Sequence, residues 1–383
     1  MPYVETEEQQ MLRKQVREIG RKYGREYYAE KARSGESPDE LWREVAEHGF
    51  IGVNTPEEYG GGGLGISELA IVCEELAAAG CPLLLLLVSP AICATVISKF
   101  GTPAQKERWL PGLASGKLTM AFAITEPNAG SNSHRLETAA RHDGDDWLLS
   151  GNKYYISGAD NADAILVVAR TGGADDGRGR LSLFIVDADA PGLEKTLIKM
   201  QVPGADRQFT LFFDDVRLGE DRLLGHEGQG LSQVFVGLNP ERILGAALAN
   251  GAALQALEQA AEYANERAVW GRPIGTHQGI AHPLAQAKIE VELARLMTAK
   301  AAWMFDQGLD AGEAANMAKY AAGEAATHAV DVAIQVHGGN GMSEEYGLVS
   351  LWAMARTLRI APVSREMILN FIAQHTLHLP KSY

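Results

Sequence analysis

The chain has 383 residues, of which 46% are hydrophobic, 22% charged and 7% aromatic, an ordinary globular composition with room for two or three domains. A net charge of −14 excludes a broad nucleic-acid face and a polybasic membrane patch. Cys73, Cys81 and Cys93 form no CxxC pair, no basic and apolar leader opens the chain, and the longest apolar run, 82–88, is too short for a bilayer. A cytoplasmic protein without a metal site or membrane insertion is the expectation.

Residues 1–118 read as a helical domain. A charged amphipathic stretch covers 7–28, Ser37-Pro38 opens a second helix, a third covers 66–79, and a fourth covers 89–100 before Gly101 and Pro103. From about Leu118 the pattern changes to short β-branched and aromatic runs, at 120–124, 147–151, 153–157, 164–169, 181–186 and 209–213. No helix of useful length separates them, so residues 119–227 are expected to form a largely antiparallel β domain, with 172–180 as an exposed hairpin loop. Ala-rich helices are then predicted over 240–270, 283–308, 311–337 and 361–377, a C-terminal domain (228–383) of four-helix-bundle type. The fold class is therefore α+β.

Several segments carry chemistry. Gly60, Gly62 and Gly65 match GxGxxG, but Thr55-Pro56-Glu57-Glu58-Tyr59 separates them from the preceding apolar run, so they predict a tight turn rather than a dinucleotide site. TEPNAGS (125–131) follows a strand. Gly130 and Ser131 suit an anionic oxygen and Thr125 a heteroaromatic edge, although an ordinary polar loop has the same composition. Tyr155 and Ser157 share one strand face, which suits a flat ring or a cross-strand packing pair.

Later segments are read the same way. In ERAVWGRPIGTHQ (266–278), Arg267 suits a pyrophosphate, Trp270 a ring and Gln278 a ligand edge, whereas a helix-surface arginine is commonly solvated. QVHGGNG (335–341) is either a helix cap or a close backbone approach to a ligand. Asn239-Pro240-Glu241 reads as a helix start: a cap, a first-turn proline and an acid favoured by the helix dipole.

Together these segments, in this order, resemble the acyl-CoA dehydrogenase family over nearly the whole chain. PEEYGGGGLG (56–65), FGTPAQKERWLPGLASGK (100–117), AITEPNAGS (123–131), GNKYYISG (151–158) and FDDVRLGEDRLLGHEGQG (213–230) add to the set. The resemblance implies FAD, with Ile124, Thr125, Gly130 and Ser131 at the isoalloxazine edge and phosphate, and Tyr155 and Ser157 beside the reactive ring. It implies that Arg267, Trp270, Gln278, Gln335 and Gly339 reach FAD across a subunit interface in a homotetramer, a dimer of dimers. Ser364 and Glu366 complete the expected cofactor set; Ser131, Asn239 and Arg242 are the expected substrate contacts.

The implied reaction is α,β-dehydrogenation of an acyl-CoA thioester to the trans-2-enoyl-CoA, with an electron-transferring flavoprotein as acceptor. Cys81 to Val96 is expected to border the acyl pocket, its leucines pointing to an apolar tail. There are departures. Asn132 replaces the usual acid after TEPxAGS, Phe122 an aromatic hydroxyl, and Ala353-Met354 an Arg-acidic pair ahead of Arg356. Pro362 occupies the C-terminal base position and cannot take a proton. Members similar to isovaleryl-CoA and long-chain acyl-CoA dehydrogenases carry their base just before the position of Arg242, which assigns the role to Glu241. A flavin oxidase or monooxygenase on the same fold, and a non-catalytic partner subunit, are the competing readings.

Overall fold

The computed structural model describes residues 5–172, 180–202 and 204–381. Helices α1 (Glu7–Ser34), α2 (Asp39–Glu47), α3 (Ile66–Ala78), α4 (Leu85–Val88), α5 (Thr95–Phe100) and α6 (Pro103–Ala114) precede the strands. The strands are β1 (Met120–Ala123), β2 (Ala139–Asp143), β3 (Asp146–Ser157), β4 (Ala164–Gly172), β5 (Arg180–Asp187), β6 (Leu193–Ile198), β7 (Gln208–Leu218) and β8 (Leu223–Leu224). Helices α7 (Gly230–Glu266), α8 (Gln278–Asp306), α9 (Gly312–His337), α10 (Leu348–Thr357) and α11 (Arg365–Phe371) follow. No helix among the described residues is long and apolar enough to cross a membrane.

The chain divides into two compact units, one of residues up to 28, 66–83 and 242 onward, the other of 29–65 and 84–241. In the second unit the strands run in the order β6-β7-β3-β2-β4-β5-β8, with β1 against β4. Strand β4 explains its own sequence. Leu166 and Val168 join a core with Ile92, Ile97, Leu110 and Leu113, while Ile165 and Val167 join another with Trp147, Leu149, Phe209 and Leu211. Both faces are buried, so the run is apolar throughout instead of alternating.

Most strand pairs are antiparallel, as expected from their short connections, but β1 runs parallel to β4 through Met120–Ala164 to Ala123–Val167. The β2–β3 hairpin intervenes between these two strands, so no tight turn forces them antiparallel. Residues 173–179 of the expected hairpin loop lie outside the described residues; its ends, Gly172 and Arg180, pair across β4 and β5.

The helix expected up to residue 100 stops there, with Gly101 as its C-cap. Pro103 then opens α6: Thr102 accepts from Gln105 N (3.2 Å), Gln105 Oε1 accepts from Thr102 N (2.9 Å), and the proline takes the first turn, where its missing N–H costs nothing. A boundary that does depart from the sequence expectation is Asn239-Pro240-Glu241, which is not a helix start. Helix α7 begins at Gly230 and carries Pro240 in its interior. Val234 belongs to the buried core with Ile92 and Val96, and this packing holds the segment before the proline helical against the local penalty.

The first unit is helical. Its long helices pack through alanine: Ala246, Ala249, Ala253 and Ala256 of α7 and Ala318, Ala322, Ala326 and Ala329 of α9 are buried. At Gly251 a Cβ would fall 2.4 Å from the backbone Glu74 O, so the backbones of α3 and α7 approach closely there. Asp306 accepts from Ile66 N (2.7 Å) and Ser67 N (2.9 Å), capping α3 from the end of α8. Buried Glu74 lies between Arg295 (2.7 Å) and Arg13 (2.7 Å), and Glu75 also binds Arg13. Burial pushes the Glu74 carboxyl up, and the two guanidinium groups more than offset it, so it stays below its usual range. The predicted helix over 361–377 is instead α11 followed by a π turn at 372–376, with α10 before it.

Candidate active site

The segment after β1 is a loop tied to β3 at several points. Glu126 and Ala129 exchange backbone hydrogen bonds (3.1 Å each), and Thr125 O accepts from Tyr154 N (2.8 Å). Lys153, wholly buried in β3, donates to Ile124 O (3.0 Å) and Glu126 Oε1 (2.8 Å). Glu126 also accepts from Glu137 N (2.6 Å) and Thr138 N (3.0 Å). Burial draws the Lys153 amine down to about 8, and Glu126 opposes that shift. Burial pushes Glu126 up, but Lys153 and the backbone donors hold it low. The two groups face each other as an ion pair at 2.8 Å, each favouring the other's charged form.

Ile124 and Thr125 are half-buried, and Gly130 and Ser131 are exposed; a Cβ built on Gly130 meets no atom within 4 Å. The loop therefore offers open backbone and hydroxyls beside the strand. On β3 the pairing with β7 shifts register between Lys153 and Ile156, and both of those residues are buried although three apart. A regular strand buries every second residue, so one residue is inserted here. Tyr155 takes φ 58°, an unfavourable angle for a bulky side chain, and its ring is 50% exposed. Ser157, also on the outward side, exchanges hydrogen bonds with Gln208 (2.9 and 3.1 Å).

The leucine run adjoins this segment. Leu85 sits where a Cβ on Gly158 would be, at 2.7 Å, and Leu84 N donates to Asp206 Oδ2 (3.0 Å). An apolar wall thus follows directly after Ser157. Glu241 is half-buried in the interior of α7. Its charge adds to the upward push on the Cys93 thiol, whose larger cause is complete burial. Asn239 is half-buried, and Arg242 is buried.

The remaining candidates lie in the helical unit. Arg267 ends the α7 turn, and a two-residue hairpin, Ala268–Val269 against Arg272–Pro273, follows with Trp270 (φ 53°) and Gly271 (φ 77°) at its tip. Both central angles are positive, the turn that suits hairpin twist, and it leaves the Trp270 indole 87% exposed. Tyr263, one turn before Arg267, stacks on His337 at 4.3 Å, and Asn340 donates to the Tyr263 hydroxyl (3.2 Å). These contacts join the Arg267 hairpin to the Gln335–Gly339 turn, so Arg267, Trp270, Gln278, Gln335 and Gly339 gather near one end of α9, all exposed.

Ser364 and Glu366 are elsewhere. Ser364 caps α11 by accepting from Met367 N (3.3 Å), Glu366 is exposed, and buried Lys319 donates to Val363 O. Lys319 and Gln335 are sixteen residues apart on α9, about 24 Å along its axis. The structure separates these two groups. Sequence motifs give no separate role to Lys153, Glu126, Gln208, Tyr263 or His337, although Lys153, Glu126 and His337 lie within GNKYYISG, TEPNAGS and QVHGGNG.

A dinucleotide with a flat redox ring fits these features: open backbone at Gly130, hydroxyls at Thr125, Ser131 and Ser157, and a half-exposed aromatic plane at Tyr155. Three family models match the chain: acyl-CoA dehydrogenase N-terminal domain over 6–117, middle domain over 121–216, and C-terminal domain over 228–377. Acyl-CoA dehydrogenase FadE12 of Mycobacterium tuberculosis is 58% identical over 383 residues, covering 100% of this chain and 99% of its own length. A glutaryl-coenzyme A dehydrogenase solved with glutaryl-CoA has a TM-score of 0.95 and 35% identity, covering 100% of this chain and 98% of its own. A Mycobacterium smegmatis glutaryl-CoA dehydrogenase in complex with FADH2 has a TM-score of 0.92 and 26% identity, covering 99% and 97%.

Proposed function

Because the chain belongs to the acyl-CoA dehydrogenase family and is an FAD-dependent oxidoreductase, we propose that its reaction is α,β-dehydrogenation of an apolar acyl-CoA thioester, with Glu241 as the base. Bound FAD supplies the two-electron acceptor for the hydride that leaves Cβ. Glu241 takes the α-proton, and Asn239 and Arg242, its neighbours in α7, contact the substrate. Ile124, Thr125, Gly130 and Ser131 hold one edge of the cofactor, and Tyr155 and Ser157 cover the reacting ring. The apolar wall at Leu84 and Leu85, against Gly158, receives the acyl tail. Electrons leave to an electron-transferring flavoprotein.

The observation that carries Glu241 is its setting. An acid at a helix start needs no catalytic explanation, but Glu241 lies within α7, half-buried and close enough to influence the buried Cys93 thiol. Pro362 leaves no carboxylate at the alternative position. Two groups of cofactor candidates spaced about 24 Å along α9 support a shared arrangement. Arg267, Trp270, Gln278, Gln335 and Gly339 serve the FAD of a second subunit, Ser364 and Glu366 serve another, and the assembly is a homotetramer.

Replacing Glu241 with Gln keeps shape and removes basicity. Flavin reduction by acyl-CoA is expected to slow by at least ~10²-fold while FAD stays bound. Reduction of Glu241→Gln at a near wild-type rate removes Glu241 from the mechanism.

A further inference from the structure

We propose that the Lys153–Glu126 pair is a positioning element for the cofactor, fixing the spacing between the 124–131 loop and the Tyr155–Ser157 strand segment. The proposal rests on the assignment of both segments to FAD. Each segment presents outward groups, and on the strand Ser157 is bonded through its hydroxyl to Gln208 of β7. The loop is held from behind. Lys153 donates from β3 to Ile124 O and Glu126 Oε1, and Glu126 accepts from the backbone of Glu137 and Thr138 at the entry to β2. One side-chain pair therefore connects the loop, β3 and the chain leading into β2.

Lys153 also occupies a special place in its strand. It is the last regularly paired residue before the register shift, and Tyr155 and Ser157 lie two and four residues beyond it. The strained φ of Tyr155 needs its surroundings to impose it. Buried Lys153 on one side of the bulge and buried Ile156 on the other supply that constraint. A well-packed apolar residue is often as stabilising as a buried ion pair, so stability alone gives a lysine no advantage here. Hydrogen bonds of fixed length and direction are what an apolar side chain lacks.

The test uses apoprotein and FAD, with three variants: Glu126→Gln, Lys153→Met and the double Glu126→Gln/Lys153→Met. The readouts are thermal stability, FAD Kd by fluorescence quenching, and the visible absorption bands of the bound flavin. Lys153→Met strands the Glu126 carboxylate and is expected to lower the melting temperature. The double variant removes that unpaired charge and is expected to recover much of the melting temperature.

FAD affinity is expected to fall about 10- to 100-fold in Lys153→Met and to stay low in the double variant, with altered flavin bands in both. Glu126→Gln, which keeps the size and an accepting oxygen, covers the case in which Lys153→Met does not fold. Its Kd is expected to rise several-fold. If FAD affinity recovers together with stability, or wild-type Kd persists in folded Glu126→Gln, the pair is only structural and the proposal is wrong. If wild-type protein takes up no FAD, the cofactor assignment of both segments fails and the proposal with it.

Discussion

Asp206 makes an unusual prediction, because the fold is expected to become more stable when its charge is removed. Its carboxylate accepts from Leu84 N at 3.0 Å. Burial and, to a smaller degree, the neighbouring Asp160 push its pKa from 3.8 up to about 7, against the pull of the Leu84 N–H; Asp160 itself is paired with Arg207. The native state therefore keeps a proton that the unfolded chain releases. Stability from this group is fully present below about pH 4, falls as pH rises, and levels off above about pH 7. The full shift is worth a ceiling of about 4 kcal/mol. Asp206 is only partly buried, and screening by water brings the expected effect to about 1–2 kcal/mol. Asp206→Asn keeps an acceptor for Leu84 N and cannot ionise. Its melting temperature is expected to exceed that of wild-type by a few degrees at pH 8, with the difference closing toward pH 4.5. A difference that is constant with pH, or a less stable variant at pH 8, refutes the reasoning.

Other outcomes follow from the same reading. Glu74→Ala leaves Arg13 and Arg295 facing one another in a mostly buried site, and it is expected to cost about 3 kcal/mol in denaturant unfolding at neutral pH. The Glu74 carboxyl is held low, so its contribution is present at neutral pH and lost as pH falls through its folded-state pKa; the gap between wild-type and variant is expected to narrow in acid. Arg267→Ala removes an exposed cation from the hairpin end of α7. FAD retention and tetramer content, followed by absorbance and light scattering, are expected to fall together, and a fall in only one of them separates the two roles.

The elements most legible in the sequence were those whose burial was uniform along their length. Strands β4 and β5 were visible because both faces are covered, whereas β2 (AARHD) and β6 (LEKTLI) are largely exposed and carry too little apolar pattern. Proline misled at one site. The stop before Gly101 and Pro103 held, whereas Pro240 looked like a start and lies inside α7, where contacts from 92–96 outweigh its local cost. The candidate loop and strand were readable as motifs. Their fastening was not, because Lys153 and Glu126 are 27 residues apart and only the fold makes them neighbours. Likewise, the stacking of Tyr263 on His337 joins two segments whose contacting residues lie 74 positions apart in sequence.

The proposed reaction oxidises an acyl-CoA thioester between its α and β carbons. The most direct measurement is anaerobic mixing of the FAD-loaded protein with a panel of acyl-CoAs, short, branched, long and cyclic. Loss of flavin absorbance is followed, and the product is identified by mass. At least one apolar acyl-CoA is expected to bleach the flavin with stoichiometric formation of the 2-enoyl-CoA, two mass units lighter, and the reduced protein is expected to reoxidise slowly in air. An unbleached flavin across the whole panel, or rapid reoxidation by O₂ after bleaching, contradicts the account.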